Sequence, residues 1–193
     1  MRFDLTTRAF SLANARALAQ ASADAYQPLS DATRIRIGAA SALKIEKPAA
    51  HVLIYDFGDC LVIACRGTAD IRDVITDVDV ARENIQGTDI HRGFYRSTDS
   101  VVKDVFSAIT DAAGKPVIIT GHSLGGSQAA ILAERLRYLG VTVNAVYTFG
   151  KPRVGCKAWA LDYNAKNPFP SFRVTNSTDP VPWLPWAGRA YYH

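Results

Sequence analysis

Hydrophobic positions along the chain follow two periods, one typical of helices and one typical of strands. Between residues 7 and 26, apolar side chains recur at helical spacing, which predicts a first helix. Two apolar runs at 52–57 and 61–65, separated by the turn residues Gly58 and Asp59, predict a strand hairpin. The pattern at 34–45 is ambiguous between helix and strand and leaves that segment open.

Beyond residue 100 the two patterns alternate regularly. In order, they predict helix 101–113, strand 117–120, helix 126–139, strand 141–149, helix 156–165 and strand 172–175. Strands that are connected through helices run parallel in a shared sheet. The earlier hairpin adds antiparallel strands, so we predict an α/β fold with a mixed, mostly parallel sheet and helices on both faces.

The composition is that of an ordinary globular domain. The 193 residues are 48% hydrophobic and 21% charged, which excludes disordered, collagen-like and low-complexity sequences. A chain of this length suits one domain, so we predict a single unit over 1–193. The net charge of +4 is too small to indicate a nucleic-acid partner, and we expect none.

The cysteines and the first twenty residues indicate whether the chain holds a structural metal and where it is expected to act. Cys60 and Cys65 stand an odd number of positions apart beside one predicted strand, so we expect ordinary thiols on opposite faces of the sheet. The sequence contains no C-x-x-C pair and four histidines, which argues against a structural zinc site. The first twenty residues lack the apolar run of a secretory signal, so the expected location is cytoplasmic.

The strongest chemical signal is a glycine-rich segment between a predicted strand and a predicted helix. The pattern G-x-S-x-G is matched by Gly121, His122, Ser123, Leu124 and Gly125. In a nucleophile elbow, flanking glycines let the strand and helix pass closely while the serine occupies a strained turn. A phosphate-binding loop is the competing interpretation, but it requires a lysine after its second glycine, where Ser127 stands. We therefore predict that Ser123 is a nucleophile.

A serine nucleophile needs a general base and a carboxylate that orients this base. In α/β-hydrolases the acid follows the serine along the chain, and the histidine follows the acid. Asp179 meets the first condition in a loop after the last predicted strand, where a simple capped turn is the alternative. His193 meets the second condition, and its alternative is an exposed chain end. His122 is expected to point away from the serine hydroxyl.

Five ordered motifs resemble those of the class 3 lipases. They are the segments at 63–77 (IACRGTADIRDVITD), 90–95 (IHRGFY), 120–126 (TGHSLGG), 147–155 (YTFGKPRVG) and 173–185 (RVTNSTDPVPWLP). The resemblance implies an α/β-hydrolase fold with Ser123 as nucleophile and Asp179 as acid. It also implies an oxyanion hole at Thr68 and Leu124 and a lid-like segment at about 69–80.

The position of His193 departs from the pattern of this family. Its better-known members usually carry the catalytic histidine several tens of residues beyond the acid, with an earlier, non-catalytic histidine in between. His193 ends the sequence 14 positions after Asp179. It therefore matches either that earlier histidine or the base of a compact variant, as in small hydrolases that resemble cutinases. The absence of another histidine after Asp179 favours the second interpretation.

Two apolar segments indicate the kind of substrate. The lid-like segment is amphipathic, because Ile71, Val74, Ile75 and Val78 recur at helical spacing; a small fixed helix is the alternative. Between acid and base, an apolar cluster predicted to bind substrate comprises Trp183, Leu184 and Trp186. Core packing is the alternative for this cluster.

These residues predict a serine hydrolase (lipase or esterase) that cleaves hydrophobic or acylglycerol esters through an acyl-enzyme. The reaction implies neither a metal nor an organic cofactor. The expected partner is the lipid or ester substrate, with transient contact with a lipid interface and without an obligate protein partner. The alternatives are a non-catalytic binding protein with a hydrolase fold, and a phospholipase or acyltransferase that uses the same elbow.

Overall fold

The computed structural model of the chain describes residues 3–67, 81–110, 112, 114–185 and 192. The lid-like segment predicted at 69–80 lies outside the described residues, as do Thr68, Trp186 and His193. Within the described ranges, no helix combines the length and apolar character needed to cross a membrane.

Helices and strands alternate through most of the chain. In chain order they are α1 (Leu12–Asp24), α2 (Asp31–Ile37), β1 (Ser41–Lys47), β2 (Ala50–Asp56), β3 (Leu61–Cys65), β4 (Arg82–Ile85), β5 (Thr88–His91), α3 (Arg92–Thr110), β6 (Val117–His122), α4 (Leu124–Tyr138), β7 (Val143–Phe149), α5 (Lys157–Lys166), β8 (Ser171–Val174) and a 3-10 turn (Val181–Trp183).

The main sheet of the described chain has the strand order β1-β2-β3-β6-β7-β8. The strands β1, β2 and β3 pair antiparallel, whereas β3, β6, β7 and β8 pair parallel. Strands β4 and β5 form a separate hairpin. The predicted α/β fold with a mixed, mostly parallel sheet is confirmed, and β6, which leads to Ser123, lies in its interior.

An apolar core covers each face of the sheet. One core packs the strands against α3 and α4, and the other packs them against α1. Neighbouring strand residues alternate between the two, since Ile63 belongs to the first core and Val62 to the second. Cys65 and Cys60 also divide between the two cores, which confirms their predicted opposite faces. Burial raises the pKa of Cys65 to about 12, so this thiol stays protonated.

The segment left open at 34–45 contains parts of two elements. Helix α2 ends at Ile37, because the next residue, Gly38, has a φ of 81° in the left-handed region and cannot continue the helix; strand β1 starts at Ser41. The two periods overlap within this stretch, which explains why neither of them dominates the pattern. Helix α1 begins at Leu12 rather than at residue 7, because the Ser11 side chain accepts a hydrogen bond from the Asn14 N–H and caps the helix.

Two elements between residues 82 and 110 differ from the prediction. The hairpin of β4 and β5 was not predicted, because the short strand β4 has exposed and half-buried residues without an apolar run. Helix α3 starts at Arg92 instead of residue 101. Its first turns bury Ser97 and Thr98, whose hydroxyls donate to the Phe94 carbonyl at 3.0 and 2.8 Å. Polar residues thus occupy positions where the pattern requires apolar ones.

Candidate active site

Ser123 lies in the turn between β6 and α4 in a strained backbone conformation. Its φ of 56° and ψ of −128° are rarely adopted by residues other than glycine. The residue is 2% exposed, and its Oγ has no hydrogen-bond partner among the described residues. Buried hydroxyls are normally paired. A strained serine with an unpaired hydroxyl at the start of a helix has the geometry of a nucleophile elbow.

The glycines on either side of Ser123 permit this turn. A Cβ on Gly121 would lie 2.8 Å from the nitrogen of Gly126 and closer still to the carbonyl group of Gly125. A Cβ on Gly125 would lie 2.8 Å from the carbonyl carbon of Arg66, just after β3. Real Cβ atoms do not approach backbone this closely, so both positions need glycine. The close contact also places the segment that leads to Thr68 against the first turn of α4.

Replacing Gly125 with alanine is therefore expected to lower the free energy of unfolding by about 3 kcal/mol or more, because the new methyl group overlaps the backbone at the end of β3. Urea denaturation followed by circular dichroism measures this change. Gly93 in α3 provides a matched control, since its Cβ would meet the His91 side chain at 3.2 Å and no backbone. The Gly93→Ala change is expected to cost less than about 1 kcal/mol, and equal losses in both variants would contradict the account.

Asp179 lies in the turn after β8, beside the end of β7. Its N–H donates to the carbonyl of Asn176 at 3.1 Å, and its Oδ1 accepts from the N–H of Val181 at 2.9 Å. The other oxygen reaches the chain after β7, where a Cβ on Gly150 would lie 2.8 Å from Oδ2. The structure thus places Ser123 after the carboxyl end of β6 and Asp179 after that of β8, and these two strands lie on either side of β7. Sites in α/β folds gather at this edge of the sheet.

Tyr26 connects two backbone segments beside the elbow. Its hydroxyl lies 3.1 Å from Nδ1 of His122 and 3.4 Å from the carbonyl oxygen of the same residue. The N–H of Gly67 also donates to this hydroxyl. Gly67 precedes Thr68 and His122 precedes Ser123, so one side chain joins the two segments that carry the expected oxyanion donors. Tyr26 stands at the end of the first predicted helix, where no sequence pattern indicated this role.

Replacing Tyr26 with phenylalanine is expected to lower kcat for ester hydrolysis by about tenfold, because the loss of one hydrogen-bonding hydroxyl loosens the oxyanion segment. Steady-state kinetics with a soluble ester measures the effect. Tyr55→Phe is the control: its buried hydroxyl lies 3.4 Å from Asp24 Oδ2 and does not contact the elbow. A kcat for Tyr26→Phe equal to that of the Tyr55→Phe control would argue against the positioning role.

The ring of His122 faces Tyr26 and Gly150. Its Nε2 would lie 3.7 Å from a Cβ on Gly150. Burial lowers the pKa of His122, although the charge of Asp179 acts in the opposite direction. Among the described residues, no hydrogen bond joins this ring to Ser123 Oγ, which agrees with the expectation that His122 points away from the nucleophile.

Lys151 is buried against the first turn of α4, which is an unusual place for an ammonium group. A Cβ on Gly126 would lie 3.0 Å from the Lys151 Cβ, and the ammonium nitrogen lies 3.5 Å from the carbonyl oxygen of Pro152. Burial, with a smaller effect from the charge of Arg173, lowers the pKa of Lys151 to about 7. Burial beside the elbow helix therefore disfavours the charged form of Lys151.

The predicted substrate-binding residues differ in exposure. Trp183 is 52% exposed, with the guanidinium of Arg153 5.9 Å from its ring centre, whereas Leu184 is 1% exposed. A cavity of about 210 Å³ lies directly beside the elbow, and its lining includes Arg66, Gly67 and Leu124. Leu124, which the resemblance assigns to the oxyanion hole, thus borders a cavity next to Ser123.

Comparison with known protein families identifies the family to which this chain belongs. The family model for lipase (class 3) matches residues 62–188, which is more than half of the chain. The chain belongs to the class 3 lipase family. The resemblance expected from the motifs is confirmed, and the elbow, the Asp179 turn and the Gly67 segment all lie within the matched region.

Three known lipases show how far this chain resembles individual proteins. The secreted mono- and diacylglycerol lipase 1 of Fusarium solani is 32% identical over 140 residues, which cover 69% of this chain and 41% of that protein. The lipase structure from Rhizopus microsporus var. chinensis has a TM-score of 0.81 at 26% identity and covers 95% of this chain and 73% of that one. A triacylglycerol lipase described with a serine protease triad as its catalytic centre has a TM-score of 0.79 at 25% identity, with 94% and 77% coverage.

The comparison with these lipases also bears on the length of the matched region and on the expected location. The chain spans less than half the length of the Fusarium relative. The expected cytoplasmic location is wrong, because this relative is named a secreted enzyme. The polar character of the first twenty residues is therefore no guide to where the protein acts.

Proposed function

We propose that this class 3 lipase hydrolyses hydrophobic carboxylic esters, with acylglycerols as substrates, through an acyl-enzyme on Ser123. The observation that carries the proposal is the strained, buried Ser123 whose hydroxyl has no partner among the described residues. A non-catalytic binding protein would have no need to maintain backbone strain of about 1–3 kcal/mol at this position.

In the proposed mechanism, His193 takes the proton of Ser123 while Oγ attacks the carbonyl carbon of the ester. The carbonyl oxygen becomes an oxyanion that accepts hydrogen bonds at Thr68 and Leu124, and each such donor lowers the barrier by about 3–4 kcal/mol. His193 then gives the proton to the leaving alcohol as the acyl-enzyme forms. Water repeats the attack, and the second collapse releases the carboxylic acid and restores Ser123.

The role of His193 is supported by the residue before it. The N–H of Tyr192 donates to the carbonyl of Gly155, and the N–H of Val154 donates to the carbonyl of Tyr192. The chain next to His193 is thereby held on the segment that follows β7, a few residues beyond Gly150, which lies beside the Asp179 carboxylate. This attachment favours His193 as the base over a free chain end.

The substrate class is supported by the relatives and by the cavity beside the elbow. The similar proteins are named mono- and diacylglycerol lipase and triacylglycerol lipase. One similar structure, at a TM-score of 0.74 and 25% identity, is described as a model for interfacial activation in lipases. We extend these properties to this chain: acylglycerols as substrates, transient contact with a lipid interface, and action after secretion.

A substrate panel tests this function. Fatty-acid release is measured by titration with a soluble short-chain ester, with diacylglycerol and triacylglycerol emulsions, and with phosphatidylcholine vesicles. We expect hydrolysis of the soluble ester and of the emulsions, with a rate that rises once the acylglycerol exceeds its solubility. Hydrolysis of the vesicles alone would instead indicate a phospholipase, and no hydrolysis of any ester would exclude the proposed activity.

A further inference from the structure

A groove of about 480 Å³ lies between the C-terminal half of α1 and the chain around Ser123. Within the described residues its lining consists of Ala19, Ser22, Ala23, Tyr26, His122 and Phe149. It shares none of them with the cavity of about 210 Å³ at Gly67 and Leu124. The groove is therefore a second space beside the elbow, and its volume is within the range of small-molecule sites.

The groove is connected to the nucleophile through the backbone. The N–H of Ser123 donates to the carbonyl of Phe149 at 2.9 Å, and His122 directly precedes Ser123 in the chain. Tyr26 contacts both His122 and the Gly67 segment. A chain that extends from an ester bound at Ser123 thus has this groove within reach.

The polar groups of the groove are already engaged, which leaves a mainly apolar surface. The Ser22 hydroxyl lies 2.9 Å from that of Thr120, and the Tyr26 hydroxyl lies 3.1 Å from Nδ1 of His122. Burial lowers the pKa of His122 and so favours its neutral ring. The half-buried ring of Phe149 and the methyl groups of two alanines form the rest of the surface. Such a surface favours a hydrocarbon chain over a charged group.

Small side chains on α1 keep this groove open. Ala19 and Ala23 are four positions apart and therefore lie on the same face of the helix. The first is half-buried and the second is exposed, so neither is held in place by the core. They are separated by about 6 Å along the helix, and an extended chain advances about 1.2 Å per bond. The alanine wall thus accompanies about five bonds of a hydrocarbon chain.

We propose that this groove binds one hydrocarbon chain of the ester substrate, and that Ala19 and Ala23 set the chain length that it accepts. This role rests on the proposed ester hydrolysis, to which it adds a substrate contact. The chain belongs either to the acyl part or to the leaving alcohol. Both have the same chemistry, and two series of substrates distinguish them.

Chain-length profiles test this role. Initial rates are measured below the solubility limit of each ester, first with acyl chains from acetate to decanoate on one chromogenic alcohol, and then with acetates of alcohols from ethanol to decanol. For the wild type we expect kcat/KM to rise about fourfold per added methylene in one series, until the chain fills the groove.

The variants Ala23→Leu and Ala19→Leu place a larger side chain in the groove, and leucine is well accommodated in a helix. Each is expected to lower kcat/KM for the octyl-length substrate of that series at least about tenfold, while the shortest ester stays within about twofold of wild type. The matched control is Ala13→Leu, at an exposed position of α1 outside the groove lining. Its profile is expected to equal that of the wild type.

The outcomes separate this role from the proposed function. A shift in the acyl series assigns the groove to the acyl chain, and a shift in the alcohol series assigns it to the leaving alcohol. If both groove variants have the same profiles as Ala13→Leu in both series, the role of the groove is overturned and the ester hydrolysis stands. If the wild type hydrolyses not even the shortest ester, the proposed function fails, and this role fails with it.

Discussion

Replacing Ser123 with alanine is expected to lower kcat for ester hydrolysis by about six orders of magnitude, which is the loss that follows removal of the serine from a comparable triad. The methyl group fits the space of the hydroxymethyl group, and the unpaired hydroxyl leaves no hydrogen bond to lose among the described residues. The folded structure and the KM are therefore expected to change little. Initial rates with a soluble chromogenic ester, measured over a wide range of enzyme concentration, give the ratio.

The neighbouring Ser127 provides the matched control for this variant. It is also fully buried, its hydroxyl also has no partner among the described residues, and it lies one turn further along α4. Ser127→Ala is expected to keep kcat within a few-fold of wild type. Residual activity in Ser123→Ala within a hundredfold of wild type would mean that another group is the nucleophile.

Replacing His193 with alanine is expected to lower kcat by several orders of magnitude, because no other group then takes the proton of Ser123. The loss is expected in kcat rather than in KM, since the base acts in the transition state. Steady-state kinetics separates the two constants. This variant also distinguishes the two interpretations of the histidine, because a residue that corresponds to the earlier, non-catalytic histidine of the family is dispensable.

Tyr192→Phe controls for disturbance of the tail that carries His193. The contacts of Tyr192 with Val154 and Gly155 are made by its backbone, so they persist in the variant. Activity close to wild type is expected for Tyr192→Phe. If His193→Ala has the same near-normal activity, His193 is not the base, and the proposed mechanism fails at that step.

The sheet and the elbow were predictable because their signals are local. Apolar runs mark the strands β2, β3, β6 and β7, and glycines 121 and 125 are needed where the backbones of β3, β6 and α4 touch. Such a contact has a direct sequence requirement, since any side chain at these positions overlaps another part of the backbone. The position of Asp179 after β8 followed from the chain order of the motif.

The remaining features depend on contacts between distant residues. Tyr26 acquires its role from Gly67 and His122, which lie far from it in sequence. A cavity of about 270 Å³ between the β4–β5 hairpin, α4 and α5 forms only when these elements pack together, and the strand β4 of that hairpin has no apolar run. Periodicity reports which face of an element is buried, but it contains no information on which elements meet there.

The central claim is that Ser123 is the nucleophile of an ester hydrolase, and covalent labelling tests it most directly. The wild-type protein is incubated with an alkyl organophosphonate, and the modified peptide is located by mass spectrometry. The account predicts one adduct per chain on Ser123, loss of esterase activity in proportion to labelling, and no adduct in Ser123→Ala. An adduct on a different residue, or undiminished hydrolysis in protein fully labelled at Ser123, would contradict it.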